Sequence, residues 1–277
     1  MRGLDQAIHP VKHVIQMNLP YTTSLPKENL RDYLNELRLD LKFRYLPFRA
    51  YYRYRAHKYI THIDPEMGIL KFLVDPTRAC LDVGANLGLF TYFLARLSPR
   101  VYAFEPNPFP LRLLRHVADR NVEVMQMAIT DTSGEVELVV PKSRKGWSSN
   151  GASLEQHFTG PSIRIAVPGS RLDDLQLPPV GFIKIDVEGH ELAVLHGARD
   201  TLTRDRPNLY IENEHTHAGD AAGKVFALLE ELHYEGFFIE DGVLRTLRNF
   251  DVKKHQLLPA AGDTRHRYVR NFIFLPG

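Results

Sequence analysis

The chain carries the run Asp82-Val83-Gly84-Ala85-Asn86-Leu87-Gly88, and beyond it a lone acid, Glu105, followed by Pro106 and Asn107. Glycines at such a turn let backbone approach a ligand closely. An acid about 20 residues further on can accept hydrogen bonds from both hydroxyls of a ribose. That is the chemistry of a nucleoside pocket. A second set of reactive groups follows: Asp186, Glu188 and His190, then Glu212, Asn213, Glu214, His215 and His217. Carboxylates and imidazoles of this kind can orient a hydroxyl or take its proton.

Such groups cooperate only if strands deliver them to one edge of a sheet. Apolar runs predict strands at Ala79–Val83, Val101–Phe104, Val122–Ala128, Phe182–Asp186, Asn208–Glu212, Gly236–Glu240 and Tyr268–Leu275. Helical periodicity predicts helices at Leu87–Leu97, Pro110–Arg120, Glu191–Arg204 and Gly223–Leu232. The alternation describes an α/β fold with a parallel sheet wrapped by helices. Ligands of open α/β sheets lie at the carboxyl ends of the strands, where Asp186 and Glu212 are expected. Two further strand signals, Glu135–Val140 and Ile163–Val167, flank a polar loop at Lys142–Leu154 that contains the single tryptophan, Trp147. A long polar loop inside an α/β domain usually binds something.

Residues 1–63 differ in character and are expected to form an N-terminal helical and basic-aromatic extension to a domain at 64–277. Leu30, Leu34, Leu37 and Leu41 mark an amphipathic helix over Lys27–Lys42. The stretch Leu41–Ile63 has no acid but interleaves arginines and lysines with Phe43, Tyr45, Tyr51, Tyr52 and Tyr54. Its stems can cover the main domain, or its charges can grip a phosphorylated ligand or nucleic acid. A homodimer contact and an active-site lid are further uses open to it. With a formal net charge of +2, the chain is not a dedicated nucleic-acid binder. One cysteine, Cys80 within the first strand, gives no disulfide framework. The absence of a long apolar run or apolar leader makes a cytoplasmic protein without a membrane span the default expectation.

Two ligand classes share the strand, glycine turn, helix and acid plan. Dinucleotide enzymes want three glycines so that a pyrophosphate can meet the helix start. Here Asn86 lies in the turn and no such gap is evident, so a sulfonium cofactor without phosphate fits better, with Asp82 near its amino group. Beyond this turn, the chain resembles the FkbM family of S-adenosylmethionine-dependent methyltransferases. The resemblance spans roughly residues 64–275 and is carried by ordered motifs: L-D-V-G-A-N-L-G-L-F-T (81–91), A-F-E-P-N-P (103–108), A-I-T-D (128–131), G-A-S-L (151–154), S-R-L-D-D-L (170–175), F-I-K-I-D-V-E-G-H-E-L-A-V-L-H-G-A (182–198) and R-P-N-L-Y-I-E-N-E (206–214).

The resemblance implies a class I, Rossmann-like sheet of seven strands in the order 3-2-1-4-5-7-6, strand 7 antiparallel, closing on a hairpin of Phe237–Glu240 with Arg270–Leu275. It implies S-adenosyl-L-methionine as cofactor and O-methylation of a hydroxyl on a sugar, glycan or other natural product. Cofactor contacts are then expected from Asp82, Gly84, Asn86, Gly88, Glu105, Pro106, Asn107, Ala128 and Asp131, and acceptor contacts from Asn150 and Ser153. Asp186, Glu188, His190, Glu212 and His215 are the candidates for acceptor binding or proton removal. Asp186, Glu212 and Asn213 could instead hold Mg²⁺, which takes oxygen ligands. Lys184, on the same strand face as Asp186, reads as the ion-pair partner of a neighbouring acid. An RNA-modifying methyltransferase and a catalytically silent cofactor-binding protein are the competing functions. A nicotinamide dehydrogenase is a third. No hydrolase elbow, paired-cysteine zinc site or Walker loop occurs.

Overall fold

The five residues of β1 (Ala79–Val83) are all buried, as are the four of β2 (Val101–Phe104) and the six of β8 (Val180–Ile185). Strands apolar on both faces must be covered on both faces, and helices supply the cover. A computed structural model describes residues 65–143, 146–147, 151–155, 160–214, 221–257 and 268–277, with positions 41, 50, 52–54 and 56–58 before them. Alternation along β1 sorts its side chains. Leu81 and Val83 pack with Val194, Leu195, Leu202 and Val225, carried by α3 (Glu191–His196), α4 (Arg199–Asp205) and α5 (Ala221–Glu231). Cys80 turns the other way, joining Phe182 and Tyr210 against Leu94 of α1 (Leu89–Leu97) and Met67 and Leu70. Asp82 shares the face of Cys80, a point that decides its role below.

The main sheet adds β3 (Val122–Met125), β9 (Asn208–Glu212), β10 (Tyr234–Glu240), β11 (Val243–Thr246) and β12 (Asn271–Pro276). It has eight strands in the order β11-β10-β12-β9-β8-β1-β2-β3. Strands β3, β2, β1, β8 and β9 run parallel, while β12 is antiparallel to both β9 and β10. The expected count of seven is therefore corrected by the edge strand β11. The expected antiparallel pairing of Phe237–Glu240 with Arg270–Leu275 is present as β10 against β12, though the two are not joined directly. Chain reversal after β10 pairs it with β11, and β12 returns later to lie between β10 and β9.

A second sheet of four strands, β4-β7-β5-β6, contains β4 (Ala128–Ile129), β5 (Gly134–Ser143), β6 (Gly146–Trp147) and β7 (Ser162–Ser170). The single strand expected at Val122–Ala128 thus divides, Ala128 and Ile129 leaving β3 to pair with Gly169 and Ser170. The helix expected at Glu191–Arg204 divides at Gly197 into α3 and α4. A Cβ there would lie 1.9 Å from the carbonyl oxygen of Thr130, so this close approach admits only glycine. Asp173 receives the backbone N–H groups of Asp200 and Thr201 at 3.0 and 2.9 Å and so caps the start of α4 from outside. The amphipathic helix expected at Lys27–Lys42 lies outside the described residues except for Leu41. From the basic-aromatic stretch, Tyr52 and Ala56 are buried against Tyr92 and Val117.

Candidate active site at the carboxyl ends of the strands

Register builds the site. Val83 is paired with Phe104 on one side and Ile185 on the other, and Ile185 with Ile211. The next residue of each strand is therefore Gly84, Glu105, Asp186 or Glu212, and the four emerge at one level of the sheet. Beside Gly84, Glu105 and Asp186 opens a cleft of about 650 Å³ counting the open solvent at its mouth, and Glu212 lies outside its lining. Gly84, Asn86, Glu105 and Pro106 border one side, Asp186, Glu188 and His190 another. Met127, Ala128, Ile129, Leu138 and Leu154 form apolar walls, and Gly151 to Ser153 close over them.

The glycine turn is dictated by contact. Gly84 has φ of +75°, and a Cβ there would lie 1.8 Å from the carbonyl oxygen of Asp186. Gly88, at φ +83°, caps α1 where a Cβ would meet Leu114 at 2.4 Å. Asn86 adopts φ +49°, a conformation asparagine tolerates better than most residues. Its N–H donates to Glu105 Oε2 at 2.7 Å, and the Asn107 N–H donates to Oε1 at 2.7 Å. Burial pushes the Glu105 carboxyl up to about 7 against the pull of these two bonds. A carboxylate offers about four acceptor positions, so two remain for a ligand.

Several expected contacts fall elsewhere. Asp82 lies on the α1 face, fully buried, accepting from Thr91 Oγ1 at 2.5 Å and 3.3 Å from Lys184 Nζ. It underlies the turn and does not line the cleft. Asn107 caps α2 (Pro108–Val117), its side chain accepting the Phe109 N–H at 3.1 Å, and is buried outside the cleft. Asp131 is exposed and likewise outside the lining, whereas Ala128 belongs to it.

On the acceptor side, Asp186 lines the cleft with its side chain 31% exposed and Oδ2 3.3 Å from Lys184 Nζ. Glu188 holds the covering segment: its Oε1 accepts the Gly151 N–H at 3.2 Å, and its carbonyl accepts from Ser153 Oγ at 2.8 Å. His190 has both ring nitrogens engaged, with Glu155 at 2.7 Å and Thr130 at 2.9 Å. Its geometry suits tying the segment 151–155 to the sheet rather than serving an acceptor. Glu191 lies beneath, its Oε1 receiving the Gly189 N–H at 3.0 Å, and burial pushes its carboxyl up to about 7. Thr130 and Glu191 fall inside the motifs A-I-T-D and F-I-K-I-D-V-E-G-H-E-L, but their roles, like that of Glu155, depend on partners from distant strands and loops.

Glu212 faces Arg270, Nη1 to Oε1 at 3.7 Å, and burial together with the Asp186 charge raises its pKa. Asn213 is buried, its backbone held by Arg270 and by Gln256, and lies outside the cleft. Among the described residues no three carboxylate, histidine or cysteine side chains converge as a metal site. The expected Mg²⁺ set of Asp186, Glu212 and Asn213 gains no support: Lys184 and Arg270 stand beside its two carboxylates, and Asn213 lies outside the cleft. Asn150, His215 and His217 lie outside the described residues.

A glycine turn, an acid after β2 and an acid after β8 thus open into one cleft at the carboxyl ends of an α/β sheet. The chain belongs to the methyltransferase FkbM domain family, which it matches over residues 82–237. It is 29% identical over 124 residues to the hexuronic acid methyltransferase AglP of Haloferax volcanii, across 44% of this chain and 50% of that protein. It is 28% identical over 160 residues to the 2-O-methyltransferase NoeI of Sinorhizobium fredii, across 50% of this chain and 64% of that one. The 31-O-demethyl-FK506 methyltransferase FkbM of Streptomyces tacrolimicus is 30% identical over 190 residues, 56% of this chain and 71% of that protein. The chain thus spans from half to just under two thirds of the first two relatives. No helix among the described residues is long and apolar enough to cross a membrane.

Proposed function

We propose that the chain transfers a methyl group from S-adenosyl-L-methionine to a hydroxyl oxygen of a sugar or related natural product. One observation carries the reading: the register that ends β1, β2 and β8 together sets Glu105 and Asp186 on two sides of a single cleft. Family membership supports methyl transfer, the names of NoeI and FkbM support an oxygen acceptor, and that of AglP supports a sugar acid as substrate.

The residues fit the cofactor. Glu105 retains acceptor positions for two vicinal ribose hydroxyls, and Met127, Ala128, Leu138 and Leu154 offer apolar walls to a purine. The turn Gly84–Gly88 would lie along the amino-acid tail. Bound there, the cofactor supplies a methyl group already activated on a sulfonium. The protein must align an acceptor oxygen behind that methyl and receive its proton. Asp186 is the group we assign to both tasks, since it lines the cleft with its side chain 31% exposed, whereas the Glu188 carboxylate is engaged by the Gly151 N–H. Asp186 would hold the acceptor hydroxyl in line with the methyl group that the bound cofactor would supply, and would receive the hydroxyl proton. Glu188, Ser153 and His190 close the cleft by fixing the segment 151–155.

Calorimetry with S-adenosylhomocysteine should detect binding to the folded protein, and its absence would remove the cofactor assignment. Asp186→Asn should keep that affinity within about twofold while lowering turnover of a hexuronic acid glycoside by about 10²–10⁴, the range for losing a general base. Normal turnover in the variant would withdraw Asp186 from the role.

A further inference from the structure

Lys184 lies two residues before Asp186 on β8, turned to the α1 face with Phe182. Only 4% of its side chain is exposed. An ammonium has three N–H donors, and three oxygens surround this one: the Gly84 carbonyl at 2.7 Å, Asp82 Oδ1 at 3.3 Å and Asp186 Oδ2 at 3.3 Å. The ring of Phe90 covers it at 5.3 Å from the ring centre. Burial alone would lower its pKa, but Asp186 and Asp82 more than offset this and hold it above the usual lysine value.

We propose that Lys184 is a positioning residue that fixes the Asp186 carboxylate to the donor-binding turn, with the Gly84 carbonyl and an Asp186 oxygen held on one ammonium. The inference rests on the reading of Asp186 as proton acceptor. A lysine that served only to neutralise buried Asp82 could stop there. This one also spans the two strand tips that meet where Gly84 packs on the Asp186 carbonyl. The acids placed to feel its charge are Asp82, Asp186, Glu105 and Glu212. Its removal therefore loosens both the Asp186 carboxylate and the turn.

Lys184→Met alone strands Asp82 as an unpaired buried charge, so the informative comparison is Asp82→Asn against Asp82→Asn/Lys184→Met. Two readouts are compared: the Kd for S-adenosylhomocysteine, which needs no acceptor, and kcat against KM with a hexuronic acid glycoside. With the lysine gone, S-adenosylhomocysteine should bind more weakly and kcat should fall while KM stays nearly unchanged. Identical affinity and kcat in the two proteins would overturn the proposal. Should the double variant fail to fold, Lys184→Arg decides. Keeping the charge but replacing a compact ammonium by a planar fork, it should still weaken S-adenosylhomocysteine binding; unchanged affinity would overturn the proposal. Failure of the base assignment reads out separately, as normal turnover by Asp186→Asn.

Discussion

At the scale of single residues, the site separates groups that face a ligand from groups that hold those groups in place. Glu105 faces the cleft, and its folded pKa of about 7 stands above the ordinary 4.5. The folded protein therefore binds this proton more tightly than the unfolded chain does. Any stability it contributes is present below pH 4.5 and is lost as pH rises toward 7, beyond which the loss is complete. Ligand binding runs the other way, because an ionised carboxylate is the stronger acceptor for ribose hydroxyls. The Kd for S-adenosylhomocysteine should rise by up to about tenfold for each pH unit below 7. Glu105→Gln should bind weakly at every pH and lose the slope, and a wild-type Kd flat between pH 5 and 8 would contradict the assignment. Asn107 behaves oppositely. As the cap of α2, its change to alanine should cost about 1 kcal/mol of stability, read as a lower melting temperature. Affinity for S-adenosylhomocysteine should barely change. The motif A-F-E-P-N-P announced that both positions matter, yet not which one faces the ligand. That distinction depends on where β2 stops and α2 starts.

At the scale of elements, what could be read in advance followed from period and length, and what could not followed from packing between distant segments. The apolar runs of β1, β2 and β9 are bounded by their own sequence, and the structure places them at the same limits. The break between α3 and α4 has only Gly197 as a local mark, within a stretch that otherwise keeps a helical rhythm. The approach of the Thr130 carbonyl explains why glycine stands there. The departure of Ala128 to the second sheet likewise depends on β7, some forty residues later in the chain. Asp82 was misread for a related reason: its motif suggested a ligand contact, but strand alternation turns it toward Thr91 of α1. Gly84→Ala tests the contact that joins two elements. Its Cβ would collide with backbone of β8 at a positive φ, so relief requires moving either the turn or Asp186. Strain of this kind costs about 1–3 kcal/mol before the collision is counted. The variant should melt well below wild type and bind S-adenosylhomocysteine poorly; a protein of native stability and affinity would show that the two strand tips do not touch.

At the scale of the whole molecule, one sheet edge gathers residues separated by more than a hundred positions, and the consequence is coupling between ligand and fold. Gly84, Glu105 and Asp186 sit on three strands whose mutual register depends on the two buried clusters packed on opposite faces. Residues before the main domain join this assembly too: the Tyr52 hydroxyl donates to the Leu87 carbonyl, inside the glycine turn, at 2.8 Å. A ligand that fills the cleft binds the folded state alone. At a concentration of about 100 times Kd it should then stabilise the protein by about 2.7 kcal/mol. For a domain of this size each kcal/mol raises the melting temperature by about 2–4 °C. S-adenosylhomocysteine should therefore produce a shift of several degrees, reduced in Glu105→Gln. NAD should produce none, because the turn with Asn86 in αL backs onto Glu105 and leaves no third glycine for a pyrophosphate. A shift with NAD and none with S-adenosylhomocysteine would return the chain to the dinucleotide class that its strand and acid plan also allows.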